Sequence, residues 1–526
     1  MKAAERRAAT RPGRGALWIF AGLVAAGSLL RLADLETRPL HGDEAVGALL
    51  SAQFRESGSL LYESSNRHGP FQYLAGGAAM AVGGDSTFWI RIPFALAGCL
   101  LPLALVPLRR QLTDPGWILA TGLLAFSPSF VYYSRYAIQE IDLALASALF
   151  LACGAACCAR ATPGTIAGFV LSGAWMVTIK ETFVLVWGCA AIALALGAVA
   201  GGSRFRSAVR KSAEEILRHP RILAGSVLGG LLIVTGAYSD FFRNRAGLGN
   251  LLRNLREMIG VGASGKDAVI LHTHPASFYV ALLGRYEWLI VALALAGAWL
   301  ALRTGRPLAL FLTLDAAALT AMHLALPYKT PWLLLAPLLP MAILGGYAGA
   351  RLLAPLGRSA STRLALPAAA FVSLLPLPRA LLLNFVHPAD PVAEPLVYHQ
   401  TGPEAMELVR EMRATIARLG AGSFPQAIVC LPYPWPIAWY LKDEPGVLYQ
   451  RTVLPAEPPE SLADLPLLVT LDRADPKFLK VFTGLSSVPA FSLPGHVSRS
   501  YVLVPPDYVV ARLWVRSDLA TSGPSR

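Results

Sequence analysis

Two acids stand side by side in His41-Gly42-Asp43-Glu44-Ala45, a few residues past the first apolar run. A carboxylate pair at that place suits a general base that takes a proton from a hydroxyl, or a ligand set. The same spacing suits a helix start, with Asp43 as N-cap and Glu44 complementing the helix dipole. Val46, Leu49, Leu50 and Phe54 would then share one face. The two readings are compatible, because a cap position also fixes a carboxylate in space. A second polar cluster, Arg67-His68-Gly69-Pro70, closes the stretch before Gln72 and Tyr73.

Three further clusters lie where apolar runs meet. Tyr132-Tyr133-Ser134-Arg135-Tyr136 precedes Glu140 and Asp142, which open an apolar run. Carboxylates there need a partner or water, and Arg135 is a candidate partner, or a phosphate ligand through its planar fork. The tyrosines read as interfacial anchors. Lys180-Glu181 reads as a snorkelling ion pair or as a polar ligand site. In Pro327-Tyr328-Lys329-Thr330-Pro331-Trp332, Lys329 faces an anion or the lipid headgroups. Asp315 and His323 share one apolar run, where hydrogen bonding between helices is the expected use. Five cysteines (Cys99, Cys153, Cys157, Cys158, Cys189) lie in apolar runs and Cys430 stands alone. No spacing suggests zinc or a disulfide framework, so the thiols are packing residues.

The elements that must position these groups follow from composition. Of 526 residues, 55% are hydrophobic and 15% charged, with mean hydropathy +0.50. A soluble domain carries about 25% charged residues, so this is a membrane-protein composition. After a basic start (Lys2, Arg6, Arg7, Arg11, Arg14), Ala16–Leu32 is long enough to cross a bilayer as a retained anchor. Further runs, from Phe88–Leu108 to Leu364–Leu383, bring the count to roughly eleven spans. Gln72–Val82 is short and reads as interfacial or re-entrant.

With the N-terminus inside, Arg109-Arg110, Arg160, the Arg204–Arg221 stretch, Arg303, Arg306, Arg351, Arg358 and Arg363 fall in cytoplasmic loops, as the positive-inside rule expects. The Ser239–Pro275 loop, with Arg243, Arg245, Arg253, Arg256 and Lys266, is the exception, and long loops obey the rule less strictly. Asp43-Glu44, Arg135, Lys180 and Lys329 then fall on the outer face. The net charge of +13 is spread over short inner loops, which argues against nucleic-acid binding.

After Asn384 prolines and charges rise. Glu404–Leu419 has apolar residues at helical spacing, and Ala427–Leu431, Leu467–Leu471 and Tyr501–Val504 read as short buried strands. The expected organisation is an α-helical polytopic membrane domain over residues 1–383, with a first outer loop at 33–86. A small extracytoplasmic α/β domain follows over 384–526, on the outer face.

His-Gly-Asp-Glu-Ala after the first span, Gly69-Pro70…Tyr73, and Arg91-Ile92-Pro93 together resemble the GT-C glycosyltransferases. The group containing protein O-mannosyltransferases and lipid A aminoarabinose transferases is the most similar. Tyr133-Ser134-Arg135…Glu140-Ile141, Lys180-Glu181-Thr182, Pro327-Tyr328-Lys329-Thr330-Pro331-Trp332 and Trp435…Trp439-Tyr440-Leu441 are similar to a narrower set. Its archaeal members are described as associated with dolichol-phosphate-sugar flippase activity.

The resemblance implies a GT-C arrangement, a polyprenyl-phosphate sugar donor, and inverting transfer to a hydroxyl of a lipid, glycan or protein acceptor among the membrane lipids. Asp43 would be the general base and Glu44 its support. Arg135, Lys180 and Lys329 would stabilise the leaving phosphate. His41, His68, Tyr73, Glu140 and Glu181 would contact the acceptor or support the site. The resemblance names no firm cofactor; a divalent cation is the one candidate. Glu140 stands where many relatives carry Asp, and its longer carboxylate speaks against a metal there.

A non-catalytic lipid-sugar flippase, or a protein associated with one, is the alternative from another class. It would need the polar outer groups only to hold headgroups. A secondary transporter would show repeats and Gly/Pro-broken spans matched between two halves, which the sequence lacks.

Overall fold

The computed structural model describes residues 13–63, 68–264, 271–354, 362–419, 424–457, 459–506 and 508–520. Of the basic residues named above, Lys2, Arg6, Arg7, Arg11, Arg67, Lys266 and Arg358 lie outside the described residues. The chain divides into a helical unit, Met1–Leu35, Ser51–Ser264 and His274–Val386, and a sheet unit, Glu36–Leu50, Gly265–Thr273 and His387–Arg526.

In the helical unit the apolar runs form helices, because a chain in lipid must satisfy every backbone polar group within its own segment. Among the described residues, 8 helices are long and apolar enough to cross a membrane. A pair bent by 99°, Ala276–Tyr286 and Trp288–Thr304, makes up to 9 when taken as one span. One of the eight, Thr87–Phe126, covers 40 residues. It is interrupted by a tight 3-10 turn at Leu103–Leu108 containing Pro107, and by Thr113 at φ 63°. Proline lacks the donor that an unbroken helix needs, so two of the expected runs meet in this stretch. Pro163–Ile179, with 17 residues, is a shorter apolar helix. Each of the roughly eleven expected runs thus falls on helical structure, and the protein is a multi-pass membrane protein.

Small residues let these helices approach. A Cβ on Gly116 would lie 2.5 Å from the Gly346 carbonyl, and one on Gly297 would lie 2.5 Å from the Leu344 carbonyl. Close backbone packing of this kind is how membrane helices associate without a hydrophobic driving force between them.

The sheet unit carries five strands: β1 (Ala427–Cys430), β2 (Val447–Gln450), β3 (Leu467–Ala474), β4 (His496–Val504) and β5 (Val509–Arg516). Their order is β2-β1-β3-β5-β4. β1 runs parallel to β2 and β3, whereas β5 is antiparallel to both β3 and β4. Alternate side chains point to opposite faces. Ala427, Val429, Leu467, Val469, Leu513 and Val515 pack on one face with Leu408, Val409, Met412 and Ile416 of the helix Pro403–Leu419. Ile428, Cys430, Leu468 and Trp514 fill the other with Leu454, Leu462 and Leu493. Burial on both faces explains why β1 and the start of β3 read as continuous apolar runs. The edge strand β2 is half-exposed, and β5 carries Arg512, paired with Asp472. Neither strand was anticipated from its pattern.

Candidate functional site

The helix carrying the acid pair is Gly42–Ser57, two residues longer at its start than an Asp43 cap would allow. His41 takes the capping position. Its Nδ1 accepts the Asp43 N–H at 3.0 Å, and Glu44 Oε2 accepts the His41 N–H at 2.9 Å. This is the reciprocal geometry of a capping box, with an imidazole in place of the usual hydroxyl. Asp43 therefore lies in the first turn, where the helix dipole favours negative charge.

The two neighbours separate sharply. Glu44 is fully buried, while the Asp43 side chain is 55% exposed. Asp43 Oδ2 lies 3.8 Å from His41 Nδ1. That nitrogen already accepts a backbone N–H, so it holds no proton to share with the carboxylate. All of these atoms belong to the sheet unit.

The helical unit gathers the other predicted residues at its helix junctions. Pro163–Ile179 ends where Lys180 turns extended, at φ −158°. The short link Lys180-Glu181-Thr182 then leads into Phe183–Ala200. The two charges of this link do not pair with each other. Lys180 Nζ binds Glu140 Oε1, and both side chains are under a tenth exposed. His68 Nδ1 lies 3.1 Å from Glu181 Oε1. Burial raises the Glu181 carboxyl, but the His68 charge and hydrogen bond, with Lys180 behind them, hold it below its usual value.

Gly69 makes this pairing possible. Its N–H donates to the Ile179 carbonyl at 3.1 Å, and a Cβ there would lie 2.2 Å from the Thr178 carbonyl. Nearby, Tyr238 Oη donates to the Val177 carbonyl at 2.8 Å and packs edge-on against Tyr62. Burial first, then Glu181 and Tyr73, raise the Tyr62 phenol above its usual range. Tyr73 is buried in the helix Phe71–Gly83.

Arg135 is placed differently from expectation. Its guanidinium donates to the carbonyls of Leu30, Ala33 and Asp34 at the end of the helix Arg14–Leu32, and lies 4.6 Å from the Phe385 ring centroid. The partner of Glu140 is therefore Lys180, not Arg135. Lys329 is buried and donates to the Leu326 carbonyl, and burial lowers its ammonium from the ordinary value. Trp332 stands 6.2 Å from the Tyr133 ring and 6.3 Å from that of Tyr136, so these two motif segments do meet.

A small cavity of about 30 Å³ lies beside this junction. Its walls are apolar (Leu143, Leu151, Leu185, Leu319, Leu339), and Glu140, Thr182 and Trp332 also line it. Asp315 and His323 line it as well. His323 Nδ1 meets the Leu319 carbonyl of its own helix at 2.7 Å, and Asp315 Oδ1 has no hydrogen-bond partner. Neither makes the expected bond between helices. Among the described residues, no group of three or more His, Cys, Asp or Glu side chains is placed to hold a metal ion. The residues present do not fit a divalent cation at Glu140, whose carboxylate is engaged by Lys180.

Other polar groups that order the site carried no sequence signal. Asp240 accepts from Leu60 N–H at 3.0 Å and Ser59 Oγ at 2.6 Å. Arg31, buried, donates to Ser134 Oγ and to the carbonyls of Gly27, Leu124 and Ala125. An isolated charge at the end of an apolar run reads as a snorkelling residue until its distant partners are known.

No protein-family model and no curated protein matches the chain. Two crystal structures of ArnT from Cupriavidus metallidurans are similar in fold. The form bound to undecaprenyl phosphate has TM-score 0.61 at 16% identity, and the apo form 0.60 at 15%; each match covers 98% of this chain and 100% of that one. The archaeal oligosaccharyltransferase AglB from Archaeoglobus fulgidus, in complex with an inhibitory peptide and a dolichol-phosphate, is similar with TM-score 0.54. That match is 13% identical over 97% of this chain and 75% of that one. The chain therefore shares the fold of these proteins, a polytopic helical membrane domain with a small C-terminal α/β domain.

Proposed function

We propose that this protein is a membrane glycosyltransferase that moves a sugar from a polyprenyl-phosphate donor to a hydroxyl acceptor on the outer face of the cell membrane. The observation that carries the proposal is the buried Lys180–Glu140 pair, set at the edge of an apolar-walled cavity in the helical unit. An isoprenoid chain suits such walls, and a phosphate suits the Lys180 ammonium, for which it would compete with Glu140. Lys329 is the second cation of the site. Arg135 is assigned instead to holding the end of the helix Arg14–Leu32. His68 and Glu181 order the first loop on the helix junction, and Tyr73 supports them.

Asp43 takes the proton from the acceptor hydroxyl. The acceptor oxygen then bonds to the anomeric carbon as the bond from that carbon to the phosphate oxygen breaks. The configuration inverts, and the polyprenyl phosphate leaves with the electron pair. Glu44, buried in the cap, keeps the Asp43 backbone in place. No step runs through a metal.

A second reading is a flippase-associated protein that holds headgroups without transferring them. The apolar-walled cavity and its two cations would serve that reading too, since it needs no proton acceptor. The two readings part on one experiment. Purified protein is incubated with a labelled polyprenyl-phosphate sugar and lipid, glycan and peptide acceptors. Transfer by wild type that drops at least ~100-fold in Asp43→Asn supports the enzyme. Equal donor consumption by the two proteins, or none by either, supports the second reading.

A further inference from the structure

The sheet unit contains an arrangement that binds ligands in many α/β proteins. From β1 the chain passes to β2 on one side, while β3 lies on the other. The crevice beyond the carboxyl ends of parallel strands, at such a reversal, is the usual place for a ligand. Here the segment that follows β1, Leu431-Pro432-Tyr433-Pro434-Trp435-Pro436, and the helix Ile437–Tyr440 receive the protein's own chain instead. Leu40 N–H donates to Tyr440 Oη at 2.9 Å. A Cβ on Gly42 would fall 2.8 Å from both Cε1 and Oη of Tyr433. At the same end of the sheet, just before the helix Pro403–Leu419, Gln400 Nε2 donates to the Pro39 carbonyl at 2.8 Å.

Pro39, Leu40 and Gly42 are thus held immediately before Asp43, and the His41–Glu44 cap holds the residues on either side of it. Leu40, Glu44 and Ala45 are fully buried, yet the Asp43 side chain is 55% exposed. A carboxylate on an immobilised backbone, with only its side chain free, is the construction that catalytic positioning requires.

We infer that Tyr440, Gln400 and Tyr433 are positioning residues for Asp43, and that the ligand crevice of the sheet serves to present this acid. The inference rests on the reading of Asp43 as proton acceptor. It adds that transfer depends on side chains some 360 to 400 positions away in the sequence.

The test uses full-length protein in lipid nanodiscs with the labelled polyprenyl-phosphate sugar and an acceptor found active with wild type. Tyr440→Phe removes a single oxygen and should lower kcat about tenfold with the donor KM unchanged. Gly42→Ala, which drives the segment off Tyr433, should lower kcat further. Adding Tyr440→Phe to Asp43→Asn should cause no additional loss, because the tyrosine acts through the carboxylate.

Wild-type kcat in Tyr440→Phe and Gln400→Leu, with Asp43→Asn inactive, would overturn the inference and leave the enzyme reading standing. A raised donor KM at unchanged kcat would overturn it too. Full turnover by Asp43→Asn would remove the reading itself and the inference with it. Should Gly42→Ala fail to fold, Tyr440→Phe and Gln400→Leu decide the matter.

Discussion

Replacing Lys180 by Met should destabilise the helical unit by about 3–5 kcal/mol, because it leaves the Glu140 carboxylate without its cation in a water-poor junction. The pair is deeply buried, at 8% and 5% side-chain exposure, so solvent does little to screen the loss. Glu140 sits in the first turn of the helix Glu140–Arg160, and the dipole there offsets only about 0.3–1 kcal/mol of it. Asp142, two residues on in the same first turn and also buried, is itself an acid and cannot take the place of the ammonium. The double variant Lys180→Met with Glu140→Leu removes both charges at similar volume and should recover most of the stability, as replaced buried pairs often do. The assay is thermal unfolding of detergent-solubilised protein, followed by intrinsic tryptophan fluorescence, for wild type, both single variants and the double. The coupling between the two sites should come out at several kcal/mol. If both single variants melt with wild type, or the double falls by the sum of the singles, the ion pair contributes nothing and the argument fails.

Gly69→Ala should lower stability by about 1–3 kcal/mol, since its Cβ would meet a backbone carbonyl that cannot rotate away; a melting curve indistinguishable from wild type would refute the packing. Glu181 titrates below its usual value of 4.5, so its contribution to stability is fully present above that value and disappears as pH falls through the lowered one. His68→Gln should therefore melt earlier than wild type at pH 6 and converge with it as pH falls through that lowered value, and a constant gap throughout would refute the pairing. Burial raises the Cys430 thiol to about 11, so in the native protein it should resist maleimide at pH 7.5 and react on unfolding. Labelling of the folded sheet unit at Cys430 would refute that burial.

Membrane character follows from the sequence alone, because span length and apolar content are local quantities set by bilayer thickness. The helix Pro403–Leu419 and strands β1, β3 and the end of β4 were legible for the same reason, since period and apolarity are written in consecutive residues. Asp43 was legible as a candidate only through the ordered series of motifs around it, because an acid pair alone fits a helix start equally well. The pairings were not. Nothing near Lys180 in the chain marks Glu140 rather than Glu181 as its partner, because the choice depends on which helix ends meet in space. The carbonyl partners of Arg135 at the end of the helix Arg14–Leu32 lie some hundred positions away in the chain, so no local pattern marks them. The cap of the acid helix went to His41, whose imidazole nitrogen accepts the backbone N–H of Asp43 and so places that aspartate inside the first turn. Tertiary structure alone brings Tyr433, Tyr440 and Gln400 to the segment before Asp43. Contacts across that length of chain come from the order of strands in a sheet, which no local pattern encodes.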